Sequence, residues 1–147
     1  MALHFAYIFC TIQHPEADIL KNIVISVQNG LLSGAIEAAL QQSSSFRCRQ
    51  VPPNRAQELM PTCRAIRPEV LLMEVSRLPW ATLEKRLESG EQVRRLLPDC
   101  RIALLCDEVA DPDLAEQVMH ARRFGRIDAF FYASVTANYL IAALEAL

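Results

Sequence analysis

A doubly wound α/β domain built on a five-stranded parallel sheet is the fold class the sequence predicts, on three observations. Short runs rich in β-branched and aliphatic residues recur along the chain, most of them apolar throughout, as strands covered by helices on both faces are. Segments with helical apolar spacing alternate with these runs. The chain has 147 residues and 52% hydrophobic content, enough for one sizeable core and little for a second.

Taken in order, Ile23 to Val27 is a β-branched run, and Gln28-Asn29-Gly30 after it is turn chemistry. Leu32, Ile36, Ala39 and Leu40 then recur at helical spacing, and the polar run Gln41 to Ser45 is a connector. Phe46 to Val51 predicts a weaker strand stopped by Pro52-Pro53, and Asn54 to Ile66 a helix with Asn54 as its N-cap and a kink at Pro61. Val70 to Val75 is the third strand. The helix over Thr82 to Leu97 carries Leu83, Leu87, Val93, Leu96 and Leu97 and ends at Pro98. Arg101 to Cys106 is a fourth strand of the buried kind. Asp111-Pro112 opens the next helix, with an acid at the cap and proline at the first position, and Gly125 closes it. Ala129 to Ala133 is the fifth strand, and Thr136 caps a last helix bearing Leu140, Ala143, Leu144 and Leu147. Residues 1–20 form an N-terminal extension, predicted as an extra strand or a docked tail, and residues 21–147 the domain proper.

Composition removes several function classes. Fifteen basic and seventeen acidic residues give a net charge of −2 and are spread along the chain, so neither nucleic acid nor an anionic membrane is an expected partner. Five cysteines form no C-x-x-C pair and three histidines are scattered, so no metal, cofactor or disulfide framework is expected; reduced thiols point to the cytoplasm. The apolar start lacks a basic leader and is too short to span a bilayer. Enzyme readings also weaken on inspection. A cysteine-phosphatase loop at Cys10 would need an arginine six residues on, where Glu16 stands, and the loop from Thr11 to Pro15 has no glycine to cradle phosphate. Gln28 to Gly34 carries no nucleotide-binding glycine pattern.

One segment is more specific. Pro68-Glu69-Val70-Leu71-Leu72-Met73-Glu74 is a buried strand that delivers one carboxylate to the sheet edge where open α/β sheets place their chemistry. It resembles the P-D-V-x-L-x-D strand of the receiver domains of two-component response regulators, and Leu97-Pro98-Asp99-Cys100-Arg101-Ile102-Ala103-Leu104-Leu105 resembles that family's entry into strand four. The resemblance covers about Lys21 to Leu147. It implies a flavodoxin-like, CheY-like fold with strand order 2-1-3-4-5 and a part in signal transduction rather than catalysis.

Carried over residue by residue, the resemblance implies a degenerate phosphoacceptor pocket. The two metal-holding acids at the end of strand one fall on Val27 and Gln28, neither of which suits a hard cation. The phosphoacceptor aspartate falls on Glu74, whose extra methylene displaces the carboxylate. The phosphoryl-sensing hydroxyl falls on Cys106, a weak donor, and the phosphoryl-pairing lysine on Ala133. The switch aromatic is retained as Phe130. Phosphoryl transfer depends on the metal and the cation, so no catalytic residue or metal site is expected. The prediction is a phosphorylation-independent pseudo-receiver; the alternatives are a small-molecule sensor using the strand-end crevice lined by Val27, Cys106 and Ala133, and a conventional phosphoacceptor regulator.

Glu74 either imitates a phosphorylated aspartate or is a satisfied strand-end acid hydrogen-bonded to nearby amides or water, the commoner state of such groups. Cys106 reads as a small core hydrophobe more readily than as a reactive thiol, and Trp80 as packing on the following helix. Phe130, Tyr132 and Tyr139 concentrate aromatic character at strand five and the last helix. By the resemblance, helix four, strand five and helix five form the surface of a homodimer or partner contact. The protein partner or output domain is not expected within this chain.

Overall fold

The computed structural model describes residues 20–147; the expected strand or tail over residues 1–19 lies outside the described residues. Five strands form one parallel sheet in the order β2-β1-β3-β4-β5, the order the resemblance implies. They are β1 (Lys21–Ser26), β2 (Phe46–Gln50), β3 (Val70–Glu74), β4 (Arg101–Cys106) and β5 (Ala129–Tyr132). Between and after them run α1 (Gly30–Ser43), α2 (Leu59–Ile66), α3 (Leu83–Leu96), α4 (Pro112–Arg123) and α5 (Ala137–Glu145).

Two apolar layers result, because successive strand residues face opposite sides. Val24, Leu71, Met73, Ile102, Leu104 and Cys106 face α2, α3 and α4. Ile23, Ile25, Leu72, Ala103, Leu105 and Phe131 face α1 and α5. The helix starts follow the cap chemistry. Asn29 Oδ1 accepts from the N–H groups of Leu31 and Leu32 at 3.0 and 3.2 Å, Thr82 Oγ1 from Lys85 at 3.3 Å, Asp111 Oδ1 from Leu114 at 3.1 Å, and Thr136 Oγ1 from Tyr139 at 3.2 Å. Gly125 takes φ +75° past the end of α4, and the next N–H, that of Arg126, returns to the Ala121 carbonyl at 2.9 Å. At Gly90 a Cβ would stand 3.2 Å from Ile102 Cγ2, so its absence lets α3 lie close on β4.

The stretch after β2 differs from expectation. Pro53–Glu58 is a 3-10 turn with a non-helical Arg55 (φ −115°, ψ 49°), and the α-helix begins only at Leu59. Asn54 is no cap, because Pro52-Pro53 sets the entry and the chain breaks once more before α-helical bonding starts. Pro61 produces no kink, because it lies in the first turn of α2, where an N–H has no helical acceptor in any case. The strands end one residue earlier than predicted at Ser26, Gln50, Glu74 and Tyr132.

At the sheet edge opposite the candidate site, Asp128 joins three elements. Its Oδ2 accepts from the Ile102 N–H at 2.8 Å and from Arg94 Nη2 at 2.7 Å, and Arg101 Nη1 lies 3.7 Å from Oδ1. Burial alone would raise its pKa, but the Ile102 amide and the Arg94 guanidinium outweigh it and hold the carboxyl below its ordinary range. A depressed carboxyl stabilises the fold above its unfolded-state pKa and loses that contribution as pH falls through the folded value. Asp128→Asn is therefore expected to cost about 1 kcal/mol at neutral pH, discounted for partial solvation. In urea titrations the gap to wild type should close on acidification; a gap of constant size down to acid pH would contradict this origin.

Candidate functional site

The loops at the C-terminal strand ends bring the sequence-predicted residues to one edge, though not all to one place. Val27 and Gln28 follow β1, Glu74 closes β3, Cys106 closes β4, and Ala133 follows β5. Glu74 and Gln28 meet directly, with Glu74 Oε2 accepting the Gln28 backbone N–H at 3.2 Å. The Gln28 side chain in turn accepts from Trp80 Nε1 at 3.2 Å. Trp80 thus reaches across to the β1 end and stays 36% exposed. One oxygen of the Glu74 carboxylate is thus engaged by a backbone amide of the chain itself.

Val27 and Cys106 are buried, but in opposite layers. Val27 lies with α1 and α5, and Cys106 with α2, α3 and α4. Ala133 meets Cys106 through the backbone, its N–H donating to the Cys106 carbonyl at 2.8 Å. Its side chain faces a different space, an apolar cavity of about 200 Å³ between α1 and α5 lined also by Leu32, Ile36, Leu105 and Leu140. Burial pushes the Cys106 thiol up to about 11, with Glu108, Asp107 and Asp111 adding to the rise, so at neutral pH it is a protonated core group rather than a nucleophile. Among the described residues, no group of three His, Cys, Asp or Glu side chains gathers where a metal ion could be held.

The residue that organises this edge is one the sequence reading leaves in a helix without comment. Arg86, in the first turn of α3, is only 3% exposed. Its Nε donates to the Glu74 carbonyl at 2.8 Å, and Nη2 donates to the Ser26 carbonyl at 3.2 Å and the Ser26 hydroxyl at 3.1 Å. The guanidinium thus clamps the ends of β1 and β3 from beneath. Burial lowers its pKa to about 10, opposed by the Glu74 charge, so it remains a cation at neutral pH. A sequence signal existed: Arg86 stands three residues after Leu83 and four before Gly90, on the stripe that turns toward the sheet. A charge at such a position needs an internal partner.

This arrangement holds a buried positive charge near a carboxylate, with the cation turned to internal acceptors. The Arg86 donors are directed at main-chain acceptors and Ser26, and Glu74 carries the Gln28 amide. In the next loop Arg77 and Asp111 pair at 2.5 Å, and Ser134 donates to Glu108.

On the β5 side, Phe130 and Tyr132 share a face, their rings edge-to-face at 5.6 Å and 60°, while Phe131 is buried on the other. Tyr132 is 38% and Tyr139 62% exposed. All four β5 residues line an open groove of about 600 Å³, with Tyr139 and Leu147 of the last helical segment along it.

No protein-family model matches the sequence, and no curated protein matches it. Solved structures match the fold. A DNA-binding response regulator of the LuxR family from Staphylococcus aureus aligns at a TM-score of 0.68 and 12% identity, covering 86% of this chain and 98% of that one. A CheY-like protein, tadZ, from Pseudomonas aeruginosa PAO1 aligns at 0.65 and 16% identity, covering 86% and 98%. The inactive form of the regulatory domain of the repressor of iron transport regulator, RitR, aligns at 0.66 and 21% identity, covering 86% and 93%. The chain has the CheY-like, flavodoxin-like fold of response-regulator receiver domains.

If Arg86 is the clamp, Arg86→Ala strips donors from two strand-end carbonyls and is expected to lower stability by roughly 2–4 kcal/mol. Glu74→Gln keeps an acceptor for the Gln28 amide and should cost under about 1 kcal/mol. Chemical denaturation of both variants checks this, and the reverse order would contradict the assignment.

Proposed function

We propose that the protein is a pseudo-receiver: a signal-transduction domain not switched by aspartyl phosphorylation, working through protein contacts made by α4, β5 and α5. The observation that carries this reading is the occupancy of the strand ends by the chain's own groups. Where the resemblance asks for two metal-holding acids there are Val27 and Gln28, and where it asks for a lysine there is Ala133. The carboxylate at Glu74 is engaged with the Gln28 amide. Phosphoryl transfer is positioning plus charge neutralisation, and Arg86, the buried cation among the described residues, is directed at the Glu74 and Ser26 carbonyls and the Ser26 hydroxyl.

The same reading makes the β5 side the working surface. Tyr139, Tyr132 and Phe124 (76% exposed) place three large apolar side chains on α4, β5, α5 and their junctions. A homodimer through this face, or its contact with an output domain or separate partner, is the interaction it supports. A second reading, a small-molecule sensor, draws on the cavity beside Ala133, which at about 200 Å³ is of a size that admits a small apolar ring.

Incubation with acetyl phosphate and Mg²⁺ tests the central point. The expected intact mass is that of the unmodified chain, and a stable adduct of one phosphoryl group on Glu74 would overturn the reading.

A further inference from the structure

Every side chain that lines the cavity between α1 and α5 is aliphatic. Its floor is the core itself, where Ile36, Leu105 and Leu140 are buried. Its walls are cut back by alanines, Ala39 on α1, Ala133 after β5 and Ala137 at the start of α5, so that about 200 Å³ is left between the two helices. Water gains little in such a space, because an ordered water needs about two to four polar partners. An unfilled apolar volume in turn costs stability that grows with its size. Both effects favour an apolar guest, and a cavity of roughly 150 Å³ walled by Leu, Ile and Phe is large enough to take up benzene. An entry exists: Ala35 and Ala137 at the rim are exposed, and Ala39, Ala137 and Ile141 also line a second cleft farther along the same two helices.

We infer that this cavity binds a small uncharged apolar molecule about the size of a single aromatic ring, and that its binding is felt at Tyr132 and Tyr139. The ligand class follows from the lining: a charged or strongly polar group would be desolvated there without a side-chain partner. The coupling follows from the chain between the two tyrosines. Val135 lines both the cavity and the groove beside β5. Its N–H donates to the Tyr132 carbonyl at 3.0 Å, and Thr136 Oγ1 next to it accepts the Tyr139 N–H at 3.2 Å. On the other side Ala133 is fixed to β4, its N–H donating to the Cys106 carbonyl at 2.8 Å. A guest seated against Ala133, Val135 and Ala137 therefore bears on the segment that positions both exposed rings. It biases that surface by as much as it prefers one placement of the segment over another.

The inference rests on the second reading above, of the domain as a small-molecule sensor, and the experiment keeps the two apart. The full chain is titrated with benzene, and separately with hexanoate, while NMR follows the methyl groups of Leu32, Leu105 and Leu140 and the amides of Tyr132 and Tyr139. With benzene, saturable shifts of the methyls and of both tyrosine amides are expected. Ala133→Leu and Ala39→Leu, which fill the cavity from opposite walls, are each expected to bind benzene at least about tenfold more weakly. Xenon checks the cavity without any substitution, and in wild type it should shift the same methyls. If hexanoate alone shifts them, the ligand class is wrong while the sensor reading stands; if none of the three probes does, both fall. Benzene binding of undiminished strength in the two variants places the molecule elsewhere and overturns the inference. Saturable methyl shifts with Tyr132 and Tyr139 unmoved overturn the coupling to the partner surface.

Discussion

The buried guanidinium of Arg86 is the interaction on which the strand-end region depends. Parallel strands end with carbonyls that no neighbouring strand satisfies, and here those of Ser26 and Glu74 converge beneath the loops after β1 and β3. Arg86 satisfies both with a planar fork that a lysine could not reproduce. The position follows from local chemistry: Thr82 caps α3, fixing its first turn, and Gly90 lets the helix lie close enough to the sheet for the side chain to reach. A charge taken out of water is costly; its hydrogen bonds to the Glu74 and Ser26 carbonyls and the Ser26 hydroxyl, together with the nearby negative charge of Glu74, offset that cost.

Once that clamp is in place, the rest of the edge is constrained. Glu74 holds the Gln28 amide, Gln28 holds the Trp80 indole, and the β1 and β3 loops are tied together above the guanidinium. The folded chain thus stabilises with internal contacts the same region that an acid-and-metal site would occupy in a phosphorylation switch. On the proposed reading, signalling runs through surfaces, and among the described residues Tyr132, Tyr139 and Phe124 place exposed aromatic rings at β5 and the helices beside it.

Much of this was legible in the sequence, for physical reasons that also explain the omissions. Runs such as Leu71-Leu72-Met73 and Ile102-Ala103-Leu104, short and bounded by turn residues, read as strands buried on both faces, and the Asp111 and Thr136 helix starts are local cap chemistry, so topology followed from pattern. The Pro53–Leu59 stretch was misjudged because two prolines impose a 3-10 entry that apolar spacing does not reveal. Val27 and Cys106 were rightly placed at strand ends, but side-chain alternation, which sends them to opposite layers, separates them. Arg86 escaped notice because an arginine on a helix is usually solvated, and its place on the buried stripe becomes decisive only when the helix is laid on the sheet.

The most direct test of the account is a Mg²⁺ titration followed at the backbone amides of Val27, Gln28, Glu74 and Cys106. A strand-end site closed by Arg86, Gln28 and Trp80 predicts no saturable shift of these four signals, only the weak linear drift of a screened surface charge. Saturable shifts converging on Glu74 and Gln28 would show that a cation enters the site, and would contradict the claim that its chemistry has been replaced by structure.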